Sequence, residues 1–317
     1  MTATITPPDL ERPMRPSLLA GIEAGGTKFV CAVAERPGAI LRSQSFPTRA
    51  PQETIADAIA FFRHAAAEFG QIAGLGLASF GPLDLDPASS GFGRITRTPK
   101  PGWSEVNIRT ALIRELGCPV AVDTDVNGAG LAEARLGAGQ GLDCFVYLTI
   151  GTGIGGGLIL RGEPVHGLTH PEMGHLLVRR QDSDLGFPGT CAFHGDCVEG
   201  LASGTAIFAR DGKILADYAA DAPLRLAVAD YIGQLCASIS LTCSPRRLIL
   251  GGGVMTGGDL FPLIRERTAA RLAGYIAHPA MAGGLEDYIV PPALGAVAGI
   301  TGALLLGARA AGYSVMH

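Results

Sequence analysis

The sequence has no excess of basic residues and few aromatic ones. Its 25 lysines and arginines are outnumbered by 29 aspartates and glutamates, which gives a formal net charge of -4 at pH 7 and a pI near 6.0. Proteins that bind nucleic acids or anionic membranes through charge carry basic surfaces instead. The sequence therefore indicates neither nucleic acid nor a membrane as a partner, and small molecules are the expected ligands.

The sequence also lacks a continuous apolar run of membrane-spanning length, and its N-terminus lacks the pattern of a secretory signal. It has seven cysteines, an odd number that does not fit a disulfide framework. Those in apolar segments are typical of reduced core thiols, and they are Cys31, Cys118, Cys144, Cys236 and Cys243. We therefore expect a cytoplasmic protein.

One pattern occurs twice in the chain. An apolar strand, a glycine turn and a second apolar strand are predicted in LLAGIEAGGTKFVCAVAE, and again about 130 residues later in CFVYLTIGTGIGGGLILRGEPV. The repeat predicts a duplicated α/β fold with two domains and a ligand cleft between them. We expect a disordered leader over residues 1–17, an N-terminal domain over 18–122, a C-terminal domain over 123–293, and a terminal helix over 294–311 that crosses back onto the first domain.

The segment 170–199 contains the strongest local motif. Cys191, His194 and Cys197 follow one another at three-residue intervals, and His175 lies sixteen positions upstream. Two thiolates and two imidazoles are a typical tetrahedral zinc set, and four protein ligands leave no position for a hydrolytic water. The motif predicts a structural zinc ion, although four such residues can also occur in one loop by chance. Two carboxylates, Glu172 and Glu199, lie close to these ligands in sequence and suggest recognition of a polyol.

Glycine turns follow three predicted strands. The segment Gly151–Gly156 matches the dinucleotide fingerprint G-x-G-x-x-G, but a second strand follows where a dinucleotide fold needs a helix. The hairpin turns at 25–27 and 151–153 instead fit direct wrapping of phosphate oxygens by backbone N–H groups and threonine hydroxyls, and a third glycine turn at 251–253 adds to this interpretation. None of them is followed by the lysine of a Walker motif, and tight turns without a ligand are the alternative.

These motifs follow one another as in a known family. The segments GIEAGGTKFVCAV, ASFGPLDL, TDVNGAG, YLTIGTGIGGG, HPEMGH and LILGGGV resemble the ROK family of sugar kinases, whose fold is the actin-like ATPase (ribonuclease H-like) fold. The zinc-containing bacterial fructokinase branch is the most similar, because Glu23 stands where many members carry aspartate and His194 where many carry cysteine. The resemblance covers the chain from Leu18 to the terminal helix.

The resemblance implies ATP-dependent phosphorylation of a hexose, with Mg²⁺ arriving with ATP. Fructose is the expected acceptor, and mannose and glucose are alternatives. A sugar-binding regulator without activity is a further alternative, but it would be expected to lack the base. A DNA-binding repressor needs a longer segment before the first strand than the 17 residues present here. The family also suggests a homodimer.

The matching motifs imply a role for each residue. Asp125 resembles the base that takes the proton of the attacking hydroxyl, the alternative being that Asp123 or Asp125 only caps the next helix. Glu23 would orient Mg²⁺ through water. The implied sugar-binding residues are Gly81, Asn127, Glu172, His175 and Glu199. The implied phosphate-binding residues are Gly25, Gly26, Thr27, Lys28, Gly151, Thr152 and Gly153, with Lys28 as a solvent-facing edge residue being the alternative. The implied nucleoside-binding residues are Ser203, Gly204, Gly251, Gly252 and Gly253.

Overall fold

The structure, a computed structural model, describes residues 17–313. Within this range the chain forms two five-stranded sheets. The strands of the first sheet are β1 (Leu18–Ala24), β2 (Lys28–Ala34), β3 (Ile40–Pro47), β4 (Ile72–Ser79) and β5 (Val120–Thr124). The strands of the second are β6 (Cys144–Ile150), β7 (Ile154–Leu160), β8 (Glu163–Pro164), β9 (Leu248–Gly251) and β10 (Ile289–Val290). The predicted leader 1–17 lies outside the described residues except for its last position.

Helices connect and cover the sheets. Those of the described residues are α1 (Pro51–Phe69), α2 (Ile108–Leu116), α3 (Asp125–Leu136), α4 (Val198–Ala202), α5 (Gly204–Asp211), α6 (Pro223–Cys243), α7 (Phe261–Leu272) and α8 (Ala298–Ala310). Apolar residues recur at helical spacing at Ile55, Ile59, Phe62 and Ala66 and predict a helix over about 51–69, which agrees with α1. Helix α8 begins four residues later than predicted because a separate 3₁₀ turn precedes it, starting at Gly295 with φ of 53°.

The two sheets have the same topology. Their strand orders are β3-β2-β1-β4-β5 and β8-β7-β6-β9-β10. In each sheet the first three strands in sequence pair antiparallel, and the last two join them in parallel. The duplicated α/β fold predicted from the repeated hairpin is therefore confirmed. The predicted domain boundary at residue 122 falls within β5.

Two helices fill the space between the sheets. Helix α8 packs on β1, on β4 and on α3, while α3 also contacts β7. Glycines permit these close approaches: a Cβ atom at Gly76 would lie 1.9 Å from the Ala303 carbonyl oxygen, and one at Gly302 would lie 1.9 Å from that of Gly128. Any larger residue at either position would push α8 outward and change the separation between the two sheets.

One helix, α6, is long and apolar enough to cross a membrane by length and composition. In the structure, 67% of the apolar 18-residue stretch of this helix is buried inside the protein. The sequence shows no continuous apolar run of this length because Arg225 and Asp230 interrupt it. Both side chains are buried, and they form ion pairs with Asp259 and Arg271. The helix is therefore a core element of the second half.

Candidate active site

Strand ends and loops bring four carboxylates to one region. Glu23 lies near the end of β1, and Asp125 is the first residue of α3, directly after β5. Thr124 sets this position because its hydroxyl caps α3 by accepting a hydrogen bond from the Asn127 amide at 3.1 Å. Glu172 and Glu199 come from the segment between β8 and α5.

The electrostatics of these groups show that they lie close together. Burial raises the pKa of Glu23 to about 7, helped by the charge of Asp125 and opposed by Lys28. Burial followed by the charges of Glu199 and Asp125 raises the pKa of Glu172 to about 7. Carboxylates that repel one another in this way favour a cation or a hydroxyl proton between them.

Asp125 itself has the properties of a base. Burial raises the pKa of its carboxyl to about 6, and a hydrogen bond from the backbone amide of Val126 opposes this rise. No basic side chain forms an ion pair with it within residues 17–313. A carboxylate with this pKa is ionised at neutral pH and is more basic than an exposed aspartate, so it can accept a proton from a hydroxyl.

The first glycine turn, at Gly25–Thr27, is held from outside its hairpin. The hydroxyl of Thr48 donates to the Gly25 carbonyl at 2.8 Å, and the ammonium of Lys100 donates to the Gly26 carbonyl. Thr27 and Lys28 are exposed. The predicted phosphate-binding residues of this turn therefore stand together on an accessible surface, and Lys28 is close enough to Glu23 to lower its pKa.

The second glycine turn, at 151–153, contacts the start of α5. The amide of Gly204 donates to the Gly151 carbonyl at 2.7 Å, and the hydroxyl of Thr205 donates to that of Thr152 at 2.8 Å. Ser203 is buried and caps α5 through a bond from the Ala206 amide at 3.1 Å. The side chain of Ser203 is thus engaged in a helix cap. The turn at 251–253 lies beside it, since Gly252 packs on the backbone of Ile150.

One carboxylate connects the second turn to the 170–199 segment. Glu199 Oε2 accepts a hydrogen bond from the Ile154 amide at 2.9 Å, and a Cβ atom at Gly153 would lie 2.6 Å from the same oxygen. A side chain at 153 would therefore displace the Glu199 carboxylate from its present position at the turn. The predicted sugar and phosphate groups meet at this contact.

The four predicted metal ligands form one cluster. The ligand atoms of His175, Cys191, His194 and Cys197 all lie within 4.8 Å of one another. His175 Nδ1 is 3.6 Å from Cys191 Sγ and 3.5 Å from Cys197 Sγ, and His194 Nδ1 is 3.6 Å from Cys191 Sγ. Tetrahedral zinc, with bonds of about 2.3 Å to sulfur and about 2.0 Å to nitrogen, separates the two atom types by about 3.5 Å. The cluster thus fits that ion.

Sequence reasoning assigned no role to His166 or His170, which lie beside the carboxylates. Asp123 Oδ1 accepts hydrogen bonds from Asn127 Nδ2 at 2.7 Å and pairs with His166 Nε2 at 3.1 Å. His170 Nε2 accepts from the Leu83 amide at 3.0 Å, and the ring lies against Gly81. Asn127 is buried, and its Oδ1 has no hydrogen-bond partner within residues 17–313. The H-x-x-x-H spacing of His166 and His170 was the available signal.

Comparisons with known proteins agree with this geometry. The ROK family matches residues 19–310. The fructokinase of Zymomonas mobilis is 42% identical over 90% of this chain and 94% of its own length, and that of Pediococcus pentosaceus is 40% identical over 91% and 97%. The solved structure of a ROK family glucokinase from Streptomyces griseus, in complex with glucose and AMPPNP, has 26% identity and a TM-score of 0.72, covering 92% of this chain and all of that one.

Two duplicated sheets with paired glycine turns and a shared group of carboxylates define the actin-like ATPase fold. The chain belongs to the ROK family. The resemblance of its motifs to the ROK family and to bacterial fructokinases is confirmed, while zinc binding stays a prediction.

Proposed function

We propose that the protein transfers the terminal phosphoryl group of ATP to a hydroxyl of a hexose, and that fructose is the preferred acceptor. The observation that carries this proposal is the raised-pKa carboxyl of Asp125, which has no ion-pair partner within residues 17–313 and lies among three other carboxylates, two of which adjoin glycine turns. The names of relatives at 40–42% identity support fructose over mannose and glucose.

Each group in the region has a role in this reaction. Asp125 accepts the proton of the sugar hydroxyl as its oxygen attacks phosphorus. Gly81, Asn127, Glu172, His175 and Glu199 surround the sugar, and the turns at 25–28 and 151–153 face the phosphates. Mg²⁺ bound to ATP would neutralise phosphate charge, with Glu23 directed at its water shell. Ser203, Gly204 and Gly251–Gly253 border the nucleoside, with Ser203 acting through the cap of α5.

We also propose that zinc occupies the cluster of His175, Cys191, His194 and Cys197. The ion would fix the loop that presents Glu172 and Glu199, since a metal ligand has its ring orientation set by the bond it makes. Four protein ligands leave it no open position for chemistry. Elemental analysis of protein purified without added metal should give one zinc per chain.

The arrangement of domains completes the proposal. The division after residue 122, the return of residues 294–311 to the first domain and substrate binding between the domains are supported by the packing of α8 on β1 and β4. A reaction that consumes ATP is expected in the cytoplasm. Dimer formation stays a prediction.

The test is an ADP-release assay with ATP and Mg²⁺ across fructose, mannose and glucose. The proposal expects the largest kcat/KM with fructose. Comparable release with every sugar would refute the preference for fructose, and release that does not depend on sugar would refute the kinase itself.

A further inference from the structure

Lysine is rare in this chain, and its positions are informative. Only Lys28, Lys100 and Lys213 are present among 25 basic residues. The first two reach the glycine turn at Gly25–Thr27, one from within the hairpin and one from a distant loop. Lys213 pairs with Asp211 on the surface at 3.4 Å. A lysine is a compact point charge suited to a phosphate, whereas arginine serves nearly everywhere else in the sequence.

Lys100 lies on a loop, residues 96–104, that borders the candidate site along its length. At one end, the Thr96 amide and hydroxyl donate to the Pro82 carbonyl at 2.8 and 3.1 Å, next to Gly81. At the other end, Trp103 is fully buried and packs on Phe29 of the first hairpin, with ring centroids 5.6 Å apart. The loop therefore runs from the sugar side to the phosphate side.

The same loop faces the segment 170–199 of the second half, which carries the four proposed metal ligands. The guanidinium carbon of Arg97 lies 5.3 Å from the ring centroid of Phe193, which is the residue before His194. Three residues later, Lys100 is half-buried and directed at the first turn. Its position is thus between the two halves and not on the outer surface.

The ammonium of Lys100 has N–H donors that the first glycine turn does not use. It has three N–H groups, and the Gly26 carbonyl takes one of them. In the described part of the chain it has no carboxylate partner. The nearby carboxylates, Glu23, Asp125, Glu172 and Glu199, would repel a phosphate, so a cation at the turn is needed to hold one.

We propose that Lys100 donates directly to the phosphoryl group while it moves and keeps it bound as the sugar phosphate product. The inference rests on the proposed kinase activity. The acceptor oxygen forms its bond to phosphorus as the bond to the ADP oxygen breaks, and the hydroxyl proton passes to Asp125. Lys100 stays protonated throughout and supplies charge to the equatorial oxygens.

Two substitutions separate charge from hydrogen bonding. Lys100→Gln can still donate to the Gly26 carbonyl but has no charge, and Lys100→Arg keeps the charge. We expect Lys100→Gln to lower kcat about 100-fold and to weaken inhibition by fructose 6-phosphate by roughly tenfold or more. The KM for fructose itself should change little. Lys100→Arg should recover most of the turnover and of the product affinity, and the control Lys213→Gln should match the wild type.

The outcomes distinguish the two proposals. A wild-type protein without hexose-dependent turnover contradicts the kinase activity, whatever the variants do. If the wild type turns over and Lys100→Gln retains its kcat and its affinity for fructose 6-phosphate, the role of Lys100 is wrong. Equal losses in the Gln and Arg variants, with a lower melting temperature in both, would show that Lys100 only anchors the turn.

Discussion

The two halves share a sheet topology but are extended at different places. In the first half, residues 80–107 separate β4 from α2, while the matching connection between β9 and α7 is only residues 252–260. In the second half, residues 165–222 separate β8 from α6, whereas only residues 48–50 separate β3 from α1. The first extension carries Gly81 and Lys100. The second carries Glu172, Glu199 and the four clustered thiols and imidazoles.

The difference shows how a duplicated fold becomes asymmetric. The sheets provide two similar glycine turns, because a strand, a tight turn and a strand recur in both halves. The extensions then contact these turns with opposite charge: Lys100 at the first and Glu199 beside the second. We infer that the first extension mainly contacts phosphate through Lys100 and the second mainly contacts the sugar through Glu172 and Glu199, with Asp125 between them.

Removing the proposed base, Asp125, should have the largest effect on turnover. Asp125→Asn keeps the size of the side chain but cannot accept the hydroxyl proton, so kcat should fall about 100- to 10,000-fold with fructose binding retained. Asp143→Asn, at an exposed ion pair with Arg246, is the control and should be near normal. Steady-state kinetics measure both, and near-normal turnover in the Asp125 variant would remove it from the mechanism.

Weakening the proposed metal cluster should affect the binding of fructose more than the binding of ATP. Cys197→Ser should raise the KM for fructose by about 10- to 100-fold, because weakened metal shells lose affinity by such factors, and change the KM for ATP much less. Stability should fall too, since metal binding contributes to folding of the loop. Cys243→Ser, a half-buried thiol outside the cluster, is the control. Equal shifts in the KM values for fructose and for ATP would contradict the separate roles inferred for the two extensions.

The pH dependence of the rate should follow the ionisation of Asp125. Asp125 must be ionised to act as a base, and the pKa of its carboxyl is raised to about 6. We therefore expect kcat/KM to fall by about tenfold for each pH unit below that value. The residual activity of Asp125→Asn should lose this dependence. A wild-type rate that stays constant down to pH 5 would contradict the assignment.

The smallest effect concerns stability in the second half. The pKa of Glu172 is raised from 4.5 to about 7, so its contribution to stability is present below 4.5 and is lost as the pH rises through 7. Glu172→Gln should reduce the fall in melting temperature between pH 5 and pH 8, whereas Glu266→Gln, at an exposed position of α7, should not. The effect is limited because the Glu172 side chain is 41% exposed. Parallel thermal scans would measure it, and an unchanged slope would contradict the crowding of carboxylates.

Much of the fold could be predicted because its signals are local. The repeated hairpin, the bounds of α1 and the grouping of His175 with Cys191 and Cys197 all follow from patterns within one segment. Strand β10 was missed because its two residues carry no periodicity, and among residues 17–313 they pair with β9 alone.

The polar contacts of the site depend on distant segments. His166 meets Asp123 across 43 positions, Lys100 meets Gly26 across 74, and Arg97 meets Phe193 only because the two extensions face each other. The sequence could not predict that α3 begins at Asp125, because Thr124, Asp125 and Asn127 are all residue types that can cap a helix.

The most direct test of the account is a phosphorus NMR time course of the protein with ATP, Mg²⁺ and fructose. The account predicts loss of the ATP γ-phosphate resonance in step with the growth of a sugar phosphate ester on the 6-hydroxyl and of ADP, and neither change with Asp125→Asn on the same timescale. Conversion of ATP to ADP and inorganic phosphate alone, or no conversion with fructose, mannose or glucose, would contradict it.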